Sequence, residues 1–245
     1  RLIIDQITKN KTVQISMSNT APDLSTWKDG GYYFRTAPSD LLQGAIIGNQ
    51  IVADGNENVA IIYQQTAYGE GLEAKAKAVI EGAGAKVVSS LPFPEAETNF
   101  DTIVDQTIAA GADSVLVISY DEIKKIVPAL QKKKFDGSKI YFVDGNLGNY
   151  SKEAWAGYIA GAKGTLPGGK LDEAFKQRAV DIYAKNHNGA KLTEFSYLAE
   201  SYDAIILLAL AAEQAGNDSG EAISKNLQSV STGGEKVTDF AAGLA

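Results

Sequence analysis

"IIYQQTAYGEG", residues 61–71, decides how this chain is read. An apolar run passes through Gln64, Gln65 and Thr66 into Ala67, Tyr68 and two glycines. Leu72, Ala76, Val79, Ile80 and Ala83 then recur at helical spacing. An apolar strand that runs straight into a helix is the pattern of a parallel sheet covered on both faces. Its exit carries two amides, a threonine and a tyrosine. Either these residues only make a turn, or something binds there.

The same alternation extends outward along the chain. Candidate strands are Val13–Ser16, Lys86–Ser89, Ser114–Ser119, Ile140–Val143 and a weaker Ala162–Leu166, besides Val59–Tyr63 itself. Ile123, Ile126, Val127 and Leu130 hold helical spacing. Thr98 and Asn99 are placed to cap a helix through Ile103, Val104 and Ile108 that Gly111 closes. Two further helices are expected near Asp172–Asn186 and Ser196–Ala215, and the second is apolar nearly all round, which predicts burial. The residues "RLIIDQITKNK" at 1–11 read as the tail of a helix. The fold class is α/β, with parallel sheets flanked by helices.

Open parallel sheets bind ligands at the carboxyl ends of their strands. Four strand exits here are polar, carrying Ser18, Asn19, Thr20, Gln65, Thr66, Tyr68, Tyr120, Asp144 and Asn146. Polar exits are common because loops meet water and helices need caps. Two tyrosines and a carboxylate at neighbouring exits fit a small-ligand pocket, since tyrosine offers a flat apolar face and a hydroxyl.

Composition narrows the chemistry. The chain has 245 residues, 44% hydrophobic and 22% charged, with a formal net charge of -7. Its longest basic cluster, Lys132 to Lys134, closes a helical pattern, where cations complement the helix dipole. Nucleic acid is therefore a poor partner. With no cysteine, disulfides, thiolate nucleophiles and Cys-based metal sites are excluded. "GTLPGGK" at 164–170 imitates a phosphate-binding loop, but Leu171 replaces the hydroxyl that holds magnesium and Pro167 removes an amide. Gly69 and Gly71 are half of a dinucleotide fingerprint. His187 is the sole histidine and sits at a helix end, and no nucleophile elbow accompanies it. Asp121 and Glu122 point apart at a helix start and make a poor acid–base pair. Nothing in the sequence calls for an enzyme, a cofactor or a metal.

Taken together, "SNTAPDLS" at 18–25, "YYFRTAPSDLLQG" at 32–44, "VAIIYQQTAYGEGL" at 59–72, "FPEAETNFDTIVDQTIAAGADSVLVISY" at 93–120, "YFVDGN" at 141–146 and "YLAESYDAIILLA" at 197–209 resemble the type I periplasmic binding-protein family. The similarity is greatest to the leucine/isoleucine/valine-binding group of ABC-transporter substrate-binding proteins. The resemblance implies a two-lobe clamshell, with 37–164 as one nearly complete lobe and 1–36 with 165–245 as part of the other. It also implies a fragment that lacks the first strands of the fold and leaves the 196–215 helix open to self-association. The implied function is extracytoplasmic capture of an amino acid of branched-chain type, or a similar small polar solute, for an ABC permease, with the signal segment outside this chain. The same fold also serves as the ligand-binding sensory domain of receptors.

In the family's pattern, Ser18, Asn19 and Thr20 match the stretch that receives the ligand carboxylate. Asp144 matches the acidic residue that receives the ammonium group, with Asn146 as a second candidate, and Tyr68 and Tyr120 match aromatic positions that close over the ligand. Asn19 departs from the small residue usual there, and Gln64 stands where the family often has Asp.

Overall fold

The computed structural model describes residues 3–244. Helix α1 (Ile4–Thr8) leads into strand β1 (Gln14–Ser16), which pairs in parallel with β2 (Tyr33–Arg35). Helix α2 (Asp40–Ala53) follows, its first turn capped by the Ser39 hydroxyl accepting from Leu41 N–H. Then come β3 (Asn58–Gln64), α3 (Ala67–Gly82), β4 (Lys86–Phe93), α4 (Asp101–Ala109), β5 (Ser114–Ile118), α5 (Ile123–Lys132), β6 (Ile140–Phe142) and the short β7 (Lys163–Gly164). Helices α6 (Glu173–Asn186), α7 (Leu198–Ala215), α8 (Gly220–Asn226) and α9 (Phe240–Gly243) complete the described chain.

The chain divides into two compact units. One comprises 1–19, 26–38 and 168–245, the other 20–25 and 39–167. The second unit holds a sheet in the order β4-β3-β5-β6-β7, every pair parallel. Side-chain alternation assigns its two faces. Val59, Ile61, Leu116 and Ile118 pack with Ile47, Ile51, Leu72 and Ile80 of α2 and α3. Ala60, Ile62, Val115 and Val117 pack with Val104, Ile126, Val127 and Leu130 of α4 and α5. The sheet is therefore buried on both faces, as its continuous apolar strands require. Pro92 is tolerated because β4 is an edge strand.

Between β3 and β5 the strand order reverses, β4 lying to one side and β5 to the other. This switch point is where an open α/β sheet leaves a crevice at its carboxyl edge. The opposite edge is tied by polar bonds. Tyr141 Oη donates to Asp54 Oδ2 at 2.7 Å and accepts from Asn56 Nδ2 at 2.7 Å, while Lys163 Nζ reaches Asp54 Oδ1 at 2.5 Å.

Several expectations from the sequence are revised. Strand β2 and helix α2 were not among the predicted elements, and β4 continues four residues beyond Ser89. The N-cap position of α4 falls to Phe100, which makes no side-chain cap bond, and Asn99 just before it accepts from Asp101 N–H at 2.9 Å through Oδ1. The lysine cluster that closes α5 also makes ion pairs, Lys132 with Asp101 and Lys133 with Asp105. Helix α7 is not buried all round. Glu200, Ala204, Leu210 and Ala211 are its buried residues, and Ile205 is 66% exposed. Its own unit has a two-stranded sheet, too small to cover every side of an apolar helix.

Candidate ligand-binding site

Strand β3 ends at Gln64, and Thr66 starts α3 by accepting from Gly69 N–H at 3.2 Å through its hydroxyl. The glycines of the opening stretch are explained by packing. A Cβ on Gly69 would overlap the Gln64 carbonyl oxygen, and one on Gly71 would stand 2.7 Å from Pro22 Cδ. This sharp strand-to-helix turn delivers Tyr68, on the first turn of α3, to the crevice at the switch point.

There Tyr68 meets two groups from neighbouring strand exits. Its hydroxyl donates to Asp144 Oδ1, beyond β6, at 2.6 Å. Its ring stacks on Tyr120, beyond β5, with centroids 5.3 Å apart and planes inclined by 25°. Tyr68 is buried, whereas Tyr120 remains 48% exposed. Gly145 N–H also donates to Tyr68 Oη, at 3.2 Å. Gly145 is required by crowding, since a Cβ there would lie 2.7 Å from the Ser119 carbonyl oxygen and 2.9 Å from Tyr68 Oη.

The charge balance keeps both phenols protonated. Burial, followed by the adjacent Asp144 carboxylate and then Asp40, holds the Tyr68 hydroxyl well above the ordinary tyrosine range. Partial burial, Asp144 and Asp40 push Tyr120 up to about 12. Two neutral hydroxyls thus stand beside the Asp144 carboxylate, and the tyrosine faces offer apolar surface to a ligand.

A brace behind the tyrosines escaped the sequence reading. Buried Gln64 donates through Nε2 to Glu122 Oε1 at 3.1 Å, and Glu122 Oε2 accepts from Tyr120 N–H at 2.9 Å. Gln64, in the position where Asp is frequent, thus orients the turn that carries Tyr120. Only the three-dimensional pairing reveals this, because Gln64 and Glu122 are 58 residues apart. Asp121 instead pairs with Lys124 at 2.7 Å.

Asn146 is committed elsewhere. Buried, it accepts from Val143 N–H at 2.8 Å and donates to the Val117 carbonyl at 2.7 Å and to Ser119 Oγ at 3.1 Å. It locks the β6 exit to β5. Ser18 and Asn19 follow β1 in the first unit, both exposed, with their N–H groups donating to Ser16 Oγ at 3.3 and 3.0 Å. Asn19 Nδ2 reaches Tyr33 Oη at 3.4 Å. Thr20 groups with the second unit. It is buried, and its carbonyl accepts from Asp40 N–H at 2.9 Å.

The remaining candidates of the sequence take structural places. Residues 165–172 form no helix-opening phosphate loop, since α6 begins at Glu173 behind an Asp172 cap. His187 ends α6, stacked on Tyr183 with centroids 4.2 Å apart.

A doubly wound parallel sheet with its crevice at a switch point, in a chain that also forms a second α/β unit, is the architecture of the type I periplasmic binding fold. The chain belongs to the periplasmic binding protein family, whose family model matches residues 2–239. It is 25% identical over 222 residues to the leucine-, isoleucine-, valine-, threonine- and alanine-binding protein of Pseudomonas aeruginosa, covering 88% of this chain and 57% of that protein. Among solved structures, a leucine-binding protein from Thermotoga maritima superposes with a TM-score of 0.79 at 21% identity, covering 92% of this chain and 64% of that one. An ABC transporter substrate-binding protein from Desulfitobacterium hafniense, in complex with Leu, gives a TM-score of 0.66 at 22% identity over 94% of this chain and 64% of that one. The chain spans between 40% and 60% of the length of the first curated relatives it matches.

Proposed function

We propose that this chain forms part of an extracytoplasmic solute-binding protein that captures an amino acid of branched-chain type for an ABC permease, without catalysis. The observation that carries this reading is the Tyr68–Asp144–Tyr120 cluster at the sheet's switch point, with Tyr68 hydrogen-bonded to Asp144 at 2.6 Å and stacked on Tyr120. Asp144 receives the α-ammonium group, and the tyrosine faces hold the apolar side chain. Ser18, Asn19 and Thr20 supply donors for the α-carboxylate. Lobes 37–164 and 1–36 with 165–245 close on the ligand, which favours the closed state by contacts it makes only there. The compact units change over at 38/39 and 167/168, which supports lobe boundaries in this neighbourhood. The family, and relatives whose names record binding of leucine, isoleucine and valine, support the ligand class.

Calorimetric titration with leucine, isoleucine and valine, alongside glutamate, glucose and ATP, tests the reading. Heat from the branched-chain amino acids that vanishes in Asp144→Asn is the expected result. Binding of glucose or ATP while no amino acid binds would sink it.

A further inference from the structure

Tyr120 is the least anchored member of the tyrosine cluster. Tyr68 is buried and hydrogen-bonded to Asp144, whereas Tyr120 is half exposed and its hydroxyl makes no hydrogen bond among the described residues. Its ring stacks on Tyr68, and the aim of that ring depends on the turn after β5 that carries it. Three bonds set the turn. Ile123 N–H and Ser119 Oγ donate to the Tyr120 carbonyl at 3.2 and 3.3 Å, and Tyr120 N–H donates to Glu122 Oε2 at 2.9 Å.

The first two lie within residues 119–123 and move with the turn. Glu122 alone carries the contact outward, since its Oε1 accepts from Gln64 Nε2 at 3.1 Å. Gln64 closes β3, which is paired on one side with β4 and on the other with β5, so the carboxylate is pinned to a rigid strand. Gln64 is buried, and its Oε1 makes no hydrogen bond among the described residues. A buried acceptor without a partner is costly, so the polar contribution of this side chain lies in its bond to Glu122.

We propose that Gln64 and Glu122 are positioning residues that aim the Tyr120 ring at the ligand, and that this role needs an amide at one position and a carboxylate at the other. The inference rests on the reading of the tyrosine cluster as the amino-acid site. All the residues involved lie in the second unit. A carboxylate at position 64 would face that of Glu122 at hydrogen-bond distance, and the two would stay together only by sharing a proton. An amide at position 122 still accepts from Tyr120 N–H through its oxygen, and its NH2 group donates to a carboxylate at position 64.

Calorimetric titration with leucine tests this, with circular dichroism to check that each variant folds. Gln64→Glu should weaken binding about tenfold near pH 8, and the loss should shrink near pH 5 as the carboxylate pair takes up a proton. Adding Glu122→Gln to Gln64→Glu should restore the affinity near pH 8. Because Gln64 is buried, Glu122→Ala provides a milder variant at a half-buried position, and it should also lose about tenfold. In a Tyr120→Ala background Glu122→Ala should cost no further affinity, because the ring it acts through is gone. The proposal is overturned if Glu122→Ala leaves affinity unchanged, or weakens it equally with and without the Tyr120 ring. It is overturned as well if the exchanged pair folds without regaining affinity. An unaltered protein that binds no leucine would overturn the ligand reading itself, and this inference with it.

Discussion

The Tyr68 hydroxyl donates to Asp144 Oδ1 at 2.6 Å across 76 residues of sequence. This bond ties the first turn of α3 to the β6 exit and turns one carboxylate oxygen toward the α3 side of the crevice. Asp144→Asn keeps an oxygen acceptor for Tyr68 but loses the charge. Leucine affinity is expected to fall roughly a hundredfold, about 3 kcal/mol, with little change in unliganded stability. Affinity within a few-fold of the unaltered protein, measured by calorimetry, would assign Asp144 to structure alone.

Tyr68→Phe makes the complementary change. It keeps the stacked ring and removes the donor to Asp144 and the acceptor for Gly145 N–H. A hydrogen bond to a charged group contributes about 1.5–3 kcal/mol, so denaturant midpoints should drop accordingly. Ligand affinity should fall as well, by less than for Asp144→Asn, because the carboxylate remains.

Alkaline pH probes the same cluster. Tyr68 and Tyr120 are both raised above the ordinary value of 10.0, Tyr120 to about 12. The folded state therefore holds these protons more tightly than the unfolded chain does. The stability they contribute is complete below about pH 10 and is lost as pH rises through about 12. Tyrosine absorbance should show two phenols titrating late, and unfolding midpoints should start to fall above pH 10. Replacing both residues by Phe should remove that part of the decline. A decline of the same size in the Phe variant would place its cause elsewhere.

Asn146→Ala separates the lock from the ligand contact. It strips buried partners from Val143 N–H, the Val117 carbonyl and Ser119 Oγ. A loss of about 3 kcal/mol is expected in equilibrium unfolding, with faster hydrogen exchange at Val143. A change below about 0.5 kcal/mol would show that the lock contributes little.

Glycine substitutions along α3 should have opposite signs. Alanine is normally the better helix former. At Gly69, however, its Cβ would overlap the Gln64 carbonyl, and a cost of about 2–3 kcal/mol or more is expected. At Gly82 nothing lies within 4 Å, so alanine should stabilise by about 0.5–1 kcal/mol. Thermal midpoints of the two variants decide the point.

The sequence by itself determined the parallel sheet of the larger unit, because burial on both faces demands the continuous apolar runs of β3 and β5 and helical spacing fills the segments between. It also placed Tyr68, Tyr120 and Asp144 at strand exits, since the carboxyl edge of such a sheet follows from the order of strand and helix. Strand β2 was not legible, because Tyr33–Arg35 holds none of the β-branched residues that marked runs such as β5. Nor was the exposure of α7, since an apolar helix carries no record of how many neighbours it will find. The tertiary structure decided which exits meet. Gln64 with Glu122, Tyr68 with Asp144, and Asn146 with Val117 are contacts across tens of residues. They exist only once β3, β5 and β6 lie side by side, because hydrogen bonds depend on distances of a few ångströms that no local pattern encodes.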